Sequence, residues 1–330
     1  MQQKIMLVLA ALGASSTTFA NDNLHAHHNG RSVAPLGVMA EHIHPQGDWM
    51  LSFSTMHMDM NGNRTNTDRV ATPLPGYMVS PLSMDMRMRM LGVMYGYTSD
   101  ITFMAMLPVL DIGMDHVINM GPMMGKRFTT TSSSAGDLTL SALYQFSDKW
   151  ILKLGFSLPT GSIDAMDVTG MSAGNEVQLP YPMQTGSGSY DFLPGITYIH
   201  NNLYSSWGAQ GNAVIRTGEN DSNYTLGNRY QFTTWYAFKL ANRLSASTRI
   251  NIQKWNNING ADTRINPAMV PTADSNLRAG KRADILFGVN YSLNRQYEIA
   301  FEYGVPIYQD LNGPQLESDR IIQLGLEVSF

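Results

Sequence analysis

Along most of this chain, apolar and polar residues alternate with a period of two. The C-terminal stretch Arg320–Phe330 shows it most clearly. Ile322, Leu324, Leu326, Val328 and Phe330 fall on one side, and Gln323, Gly325, Glu327 and Ser329 on the other. Such a period gives a β-strand one apolar and one polar face. The same alternation predicts strands at Asp48–Met60, Leu82–Tyr97, Ile101–Leu110, Asp137–Phe146, Trp150–Thr160 and Tyr190–His200. It continues at Tyr204–Thr217, Tyr230–Leu240, Leu244–Trp255, Ala283–Leu293, Tyr297–Tyr308 and Arg320–Phe330.

The connections between these strands alternate between short and long. Thr98–Asp100, Ser147–Lys149, Asn201–Leu203, Ala241–Arg243 and Asn294–Gln296 carry tight-turn chemistry. The others are long and rich in Gly, Asn, Ser, Asp and Pro. Aromatic residues gather toward the short-turn end: Trp49, Tyr97, Tyr144, Phe146, Trp150, Tyr198, Tyr204, Tyr291, Tyr297 and Phe330. That is the expected interfacial girdle of a membrane barrel. The pattern predicts an all-β, transmembrane, antiparallel up-and-down barrel of about twelve strands, with short periplasmic turns and long extracellular loops. Closure removes the unpaired edges that lipid cannot satisfy. An even strand count places both termini on the periplasmic side.

The first residues add an address. Lys4, the apolar run Ile5–Gly13 and Thr18-Phe19-Ala20 read as a signal peptide over 1–20, implying export to the bacterial outer membrane. Residues 21–47 then form a His-containing N-terminal segment in the periplasm, and 48–330 the barrel. A barrel of this size is narrow inside, so loops or residues 21–47 can plug it. The chain has no cysteine, and charged residues are only 15% of it, with a net charge of −4. Soluble domains carry about 25%. Nothing here favours nucleic-acid binding.

Methionine is the compositional outlier, with 23 residues, most of them before position 125. In the first strand Met50, Met56, Met58 and Met60 share a parity opposite Trp49, Leu51 and Phe53. In the second, Met84, Met86, Met88, Met90 and Met94 oppose Leu91, Val93 and Tyr95. In the third, Met104 and Met106 oppose Phe103, Ala105 and Leu107. With the bulky set facing lipid, the methionines line the lumen, and Met94 falls opposite Met104. Later strands put polar groups on the inward parity, among them Arg249, Glu298 and Glu302. Asp85, Arg87 and Arg89 fall on the lipid-side parity, at the height of the outer membrane surface or above it.

Two readings of the methionines compete. Met is an adaptable apolar filler suited to a conduit for irregular hydrophobic molecules. Thioether sulfur is also a soft ligand for Cu(I) or Ag(I). The metal reading gathers Met56, His57, Met58, Met84, Met86 and Met88 as ligands, with His42 and His44 of Glu41-His-Ile-His44 nearer the periplasm. His25, His27 and His28 read as a solvated tail, and His116 as part of a Met114–Met124 loop. No hydrolase constellation stands out, so the chain reads as no enzyme and needs no cofactor unless Cu(I) is one.

The chain also resembles known proteins. The segments Gly37–Met50, Met56–Asn63 and Ser83–Gly96, Leu158-Pro-Thr-Gly-Ser162 and the terminal Phe330 are similar to those of a family of outer-membrane transporters. That family is akin to the "MetA-pathway of phenol degradation" proteins. The resemblance covers nearly the whole mature chain. It implies a barrel that takes up small aromatic or hydrophobic solutes, without naming one. The implied partners are outer-membrane lipid, a small-molecule solute and the barrel assembly machinery, which reads a C-terminal Phe such as Phe330.

Overall fold

In a computed structural model, which describes residues 34–330, the chain forms one closed antiparallel sheet. No helix among the described residues is long and apolar enough to cross a membrane. The first strand, Trp49–Asn66, pairs with Val79–Gly96, which pairs with Ile101–Ile118. The wall continues through Arg127–Ala135 and Leu138–Ser147, which share one line, to Trp150–Leu158. Asp191–Phe192 and Gly195–Asn201 share the next line, followed by Ser205–Arg216, Arg229–Ala241, Leu244–Trp255 and Gly280–Ser292.

The last element, Tyr297–Ser329, is one continuous run that serves as two staves. Its first half pairs with Gly280–Ser292 and its second half with Trp49–Asn66. It turns back near Gly313, whose φ of +84° is open to glycine without strain. Counted this way the barrel has twelve staves, and the first and last close it in register from Met50↔Ser329 to Asp59↔Arg320, with bulges beyond.

The outward face is apolar because it has no polar partner to meet. Leu51, Phe53, Leu91, Phe103, Phe156, Phe232, Ile252 and Leu324 are all exposed on it. At the short-turn end Trp49, Tyr97, Tyr144, Phe146, Trp150, Tyr204, Tyr291, Tyr297 and Phe330 are exposed as well. A belt of this kind matches a lipid interface.

Several boundaries differ from the alternation reading. The second and third strands reach beyond it to Val79 and Ile118, and Arg127–Ala135 is strand where the sequence suggested loop. These extensions lie at the long-loop end, where no lipid requires apolar alternation and backbone pairing alone holds the ladder. His116 therefore sits in a strand, buried and stacked on Phe128 with ring centroids 4.9 Å apart, not in a loop.

The long loops pack on one another. Met166–Val168 and Glu176–Gln178 form a small hairpin, and Tyr224–Thr225 pairs with Asn259–Gly260. Tyr181, Tyr224 and Ile258 make a buried cluster there.

Candidate functional site: the barrel interior

The residues ahead of the first strand have no secondary-structure period, and their partners decide where they go. Asn290 donates to the Ala34 carbonyl (3.1 Å), and Gly37 N–H donates to Glu302 Oε2 (2.7 Å). Gln210 donates to the Met39 carbonyl (2.6 Å), and His44 N–H donates to Thr102 Oγ1 (2.8 Å). Leu36 occupies the space where Gly325 lacks a Cβ, and the Pro45 carbonyl does the same at Gly96. These partners lie on staves all around the ring. A short segment can touch them together only from inside, so residues 34–45 fill the lumen at the short-turn end. The signal peptide expected over 1–20, and His25, His27 and His28, lie outside the described residues.

The segment is seated on charge. Arg249 and Glu302 are both buried and meet through two bonds, Nε to Oε1 (3.0 Å) and Nη2 to Oε2 (2.9 Å). Glu302 Oε2 also takes the Gly37 N–H, so the carboxylate of the buried pair is further satisfied, which offsets part of its desolvation. At Gly37 an added Cβ would overlap Arg249 Nη2, which is why the chain has glycine there. Next to this pair Arg282 bonds Asp284 and Ser318 Oγ (2.6 Å), and Asn251 accepts from Thr233 (2.7 Å). Glu298 accepts from Asn290 (2.9 Å) and Ser292 (3.0 Å). One wall of the interior is thus a bonded polar network, although Ser247 Oγ beside it is buried without a partner.

Buried methionines gather in two clusters. At the short-turn end Met50, Met94 and Met104 pack with Ala40, Leu143 and Ile151, and Ile43 and Met106 lie against them. Met94↔Met104 are direct cross-strand neighbours, as the sequence register anticipated, and the structure adds Met50↔Met94. At the long-loop end Met84, Ile112 and Met114 pack with Leu179 and Met183, supported by Met60, Met86, Leu110 and Leu316. Met183 is 0% exposed: the loop 159–190 turns inward, and Ser132 Oγ donates to the Met183 carbonyl (2.6 Å). Between the clusters Met56 pairs with Met88 and Met58 with Met86, while Met56, Met86, Met88 and Met90 are half-buried.

Alternation alone did not identify Met114 and Met183 as members. Ile112, Met114, His116 and Ile118 do alternate, and extending the third strand would have found Met114. Met183 arrives through a loop and leaves no local signal.

The metal ligands proposed from sequence do not all come together in one place. His57 lies on the opposite face of its strand from Met56 and Met58, hydrogen-bonded to Asp59 Oδ1 at 2.8 Å. Met58 sulfur is 3.7 Å from the Arg282 guanidinium and 3.8 Å from Ser318 Oγ, a poor setting for a cation. His42 and His44 sit at the short-turn end, while Met84 packs with loop residues at the other.

Those two histidines form a unit of their own. Their rings meet edge-on with centroids 4.8 Å apart, and His42 Nδ1 is 2.7 Å from Glu41 Oε1. Burial alone would lower His42, but the Glu41 carboxylate overcomes it and pushes His42 up to about 9. Glu41 is held below its usual range by the same pairing, against its own burial. Burial, helped by the neighbouring His42 charge, pushes His44 down to about 4. His44 Nε2 is buried and has no protein partner. One histidine is thus kept charged and its neighbour neutral.

No protein-family model matches the chain, and no curated protein matches it in sequence. Solved structures do. An outer-membrane channel from Pseudomonas putida F1 superposes with a TM-score of 0.61 at 13% identity, over 89% of this chain and 99% of that one. The translocator domain of the autotransporter NalP from Neisseria meningitidis gives 0.45 at 9%, over 87% and 90%. The Pseudomonas putida toluene transporter TodX gives 0.43 at 10%, also over 87% and 90%. The last two scores are nearly equal for very different proteins, so only the first comparison carries weight. What it shows is the fold: an outer-membrane type of β-barrel.

Proposed function

We propose that this protein is a passive outer-membrane channel for small hydrophobic or aromatic compounds, with both termini on the periplasmic side. The observation that carries the reading is the composition of the two interior walls. Flexible thioethers stand in cross-strand register on one side, and on the other the charged groups are bonded in pairs, Arg249 with Glu302 and Arg282 with Asp284. An apolar solute loses little in leaving lipid for the thioether wall, and Met adapts to irregular shapes. A hydrophilic solute would meet Arg249, Glu302, Arg282 and Glu298 already bonded to protein partners. The Pseudomonas putida structure with the same barrel is an outer-membrane channel, and the resemblance to the aromatic-uptake family points the same way. No covalent chemistry is required. Phe330, exposed at the end of the last stave, is suited to the assembly machinery.

A second reading is a Cu(I)- or Ag(I)-binding barrel. The pairs Met56↔Met88, Met58↔Met86 and Met60↔Met84 favour it. The guanidinium beside Met58 sulfur opposes it.

One variant separates the two, with Leu at Met56, Met58, Met84, Met86, Met88 and Met90. Accumulation of a labelled monoaromatic hydrocarbon is measured in cells making the wild type, the variant or no barrel, alongside Cu(I) competition titrations on the purified proteins. The channel reading expects faster uptake with both barrels than with none. The copper reading expects tight Cu(I) binding that the Leu version loses. Uptake equal to that of barrel-free cells removes the channel reading.

A further inference from the structure

The outward wall carries one cluster that transport of an apolar solute does not use. His57 Nε2 lies 2.8 Å from Asp59 Oδ1 and 2.9 Å from Asp85 Oδ2. These three donor atoms all lie within 4.8 Å of one another. The strands bring them together in register: Asp59 is directly opposite Asp85, and His57 opposite Arg87. The cluster sits on the lipid-side parity, above the exposed Phe53 and Leu91, at the upper edge of the apolar band.

Two features of this arrangement call for a cation. Like charges directly opposite on neighbouring strands repel, and here two carboxylates are paired. In addition, one ring nitrogen faces two carboxylate oxygens but can carry only one proton between them. A metal ion in place of that proton would bond all three donors at once.

The remaining oxygens are already engaged elsewhere. Asp59 Oδ2 is bonded by Arg320, and Arg87 Nε stands 3.5 Å from Asp85 Oδ1. The arginines hold each carboxylate by its outer oxygen and leave the inner one turned toward His57. Outer partners orient metal ligands in this way. An open groove of about 630 Å³ runs beside the cluster, bordered by Asp115, Tyr303 and Asp319, with room for water to complete the coordination.

We infer that His57, Asp59 and Asp85 form a binding site for a divalent transition-metal ion of borderline softness, Zn(II) being the natural probe. One imidazole and two carboxylates suit Zn(II). The site contains no thioether for Cu(I), and its nitrogen makes it a poor match for Ca(II) or Mg(II), which prefer oxygen. With bonds of about 2.0–2.2 Å, the donors need open by only a few tenths of an ångström to seat the ion.

The experiment is a Zn(II) titration against a fluorescent chelator, on the full chain folded in detergent, for the wild type, His57→Asn, Asp85→Asn and Arg320→Gln. The N-terminal histidines give all four the same background. Asp85 is half-exposed, so its variant leaves the fold intact even should His57→Asn not. One Zn(II) site per chain is expected in the wild type, lost in His57→Asn and Asp85→Asn. In Arg320→Gln it should be about 10- to 100-fold weaker, the usual cost of losing an outer partner. Equal stoichiometry and affinity in the wild type and Asp85→Asn would overturn the site and leave an ion-pair network only.

Discussion

Arg249 and Glu302 are bonded twice inside the barrel, and the second Glu302 oxygen also receives the Gly37 N–H. The pair is both part of the wall and the seat of the segment that fills the lumen.

Removing one partner of this pair should be far worse than removing both. Glu302→Gln strands a buried guanidinium and is expected to cost about 3–5 kcal/mol, whereas a double change to Arg249→Met and Glu302→Leu should cost much less than the sum of the singles. Urea unfolding of the barrel in lipid vesicles, read as a double-mutant cycle, checks this.

Gly37→Ala should dislodge the segment without harming the wall. Its Cβ would collide with Arg249 Nη2 and stand 2.7 Å from Glu302 Oε2. Overpacking of this kind costs about 1–3 kcal/mol. Limited proteolysis should cut the variant within residues 34–47 faster than the wild type, while the strands remain protected.

Docking of the segment should be tightest near pH 6.5. His42 is raised to about 9, so its contribution is complete below 6.5 and is lost as pH rises through 9. His44 is lowered to about 4, so its contribution is complete above 6.5 and is lost as pH falls toward 4. Small-ion conductance in planar bilayers should therefore rise on both sides of a minimum. His44→Gln should remove the acid rise and leave the alkaline one.

Met183→Ala should open the other end. It empties a fully buried position against Met84 and Met114 and is expected to cost about 2–5 kcal/mol. Hydrogen exchange should speed up across the loop 159–190 and remain slow in the barrel strands.

The strands were legible because lipid demands alternation. Leu51, Phe53, Leu91 and Phe103 had to face outward, and their neighbours in sequence then had to face in. Where lipid ends, the signal ends too. Arg127–Ala135 is strand only because its backbone pairs with Val109–Val117, and a Thr- and Ser-rich run gives no hint of that. The odd number of His57 sets it across the strand from Met56 and Met58, so nearness in sequence does not bring its ring to their sulfurs. Residues 34–45 carry no periodicity. Their location depends on a gap left by Gly37, Gly96 and Gly325, which only the closed ring creates.

The seam between Trp49–Asn66 and the final stave differs from every other junction in the ring, because no turn joins its two sides. Trp49 and Phe330 exchange backbone bonds across it at 2.8 and 2.9 Å, and no covalent link lies nearby. The inner segment runs directly into the first strand, and its Leu36 presses on Gly325 of the last. It therefore acts as a clasp on the one place where the cylinder can come undone. A chain shortened to begin at the first strand would lose that clasp as well as its filling, and its ends would be the first to separate under denaturant.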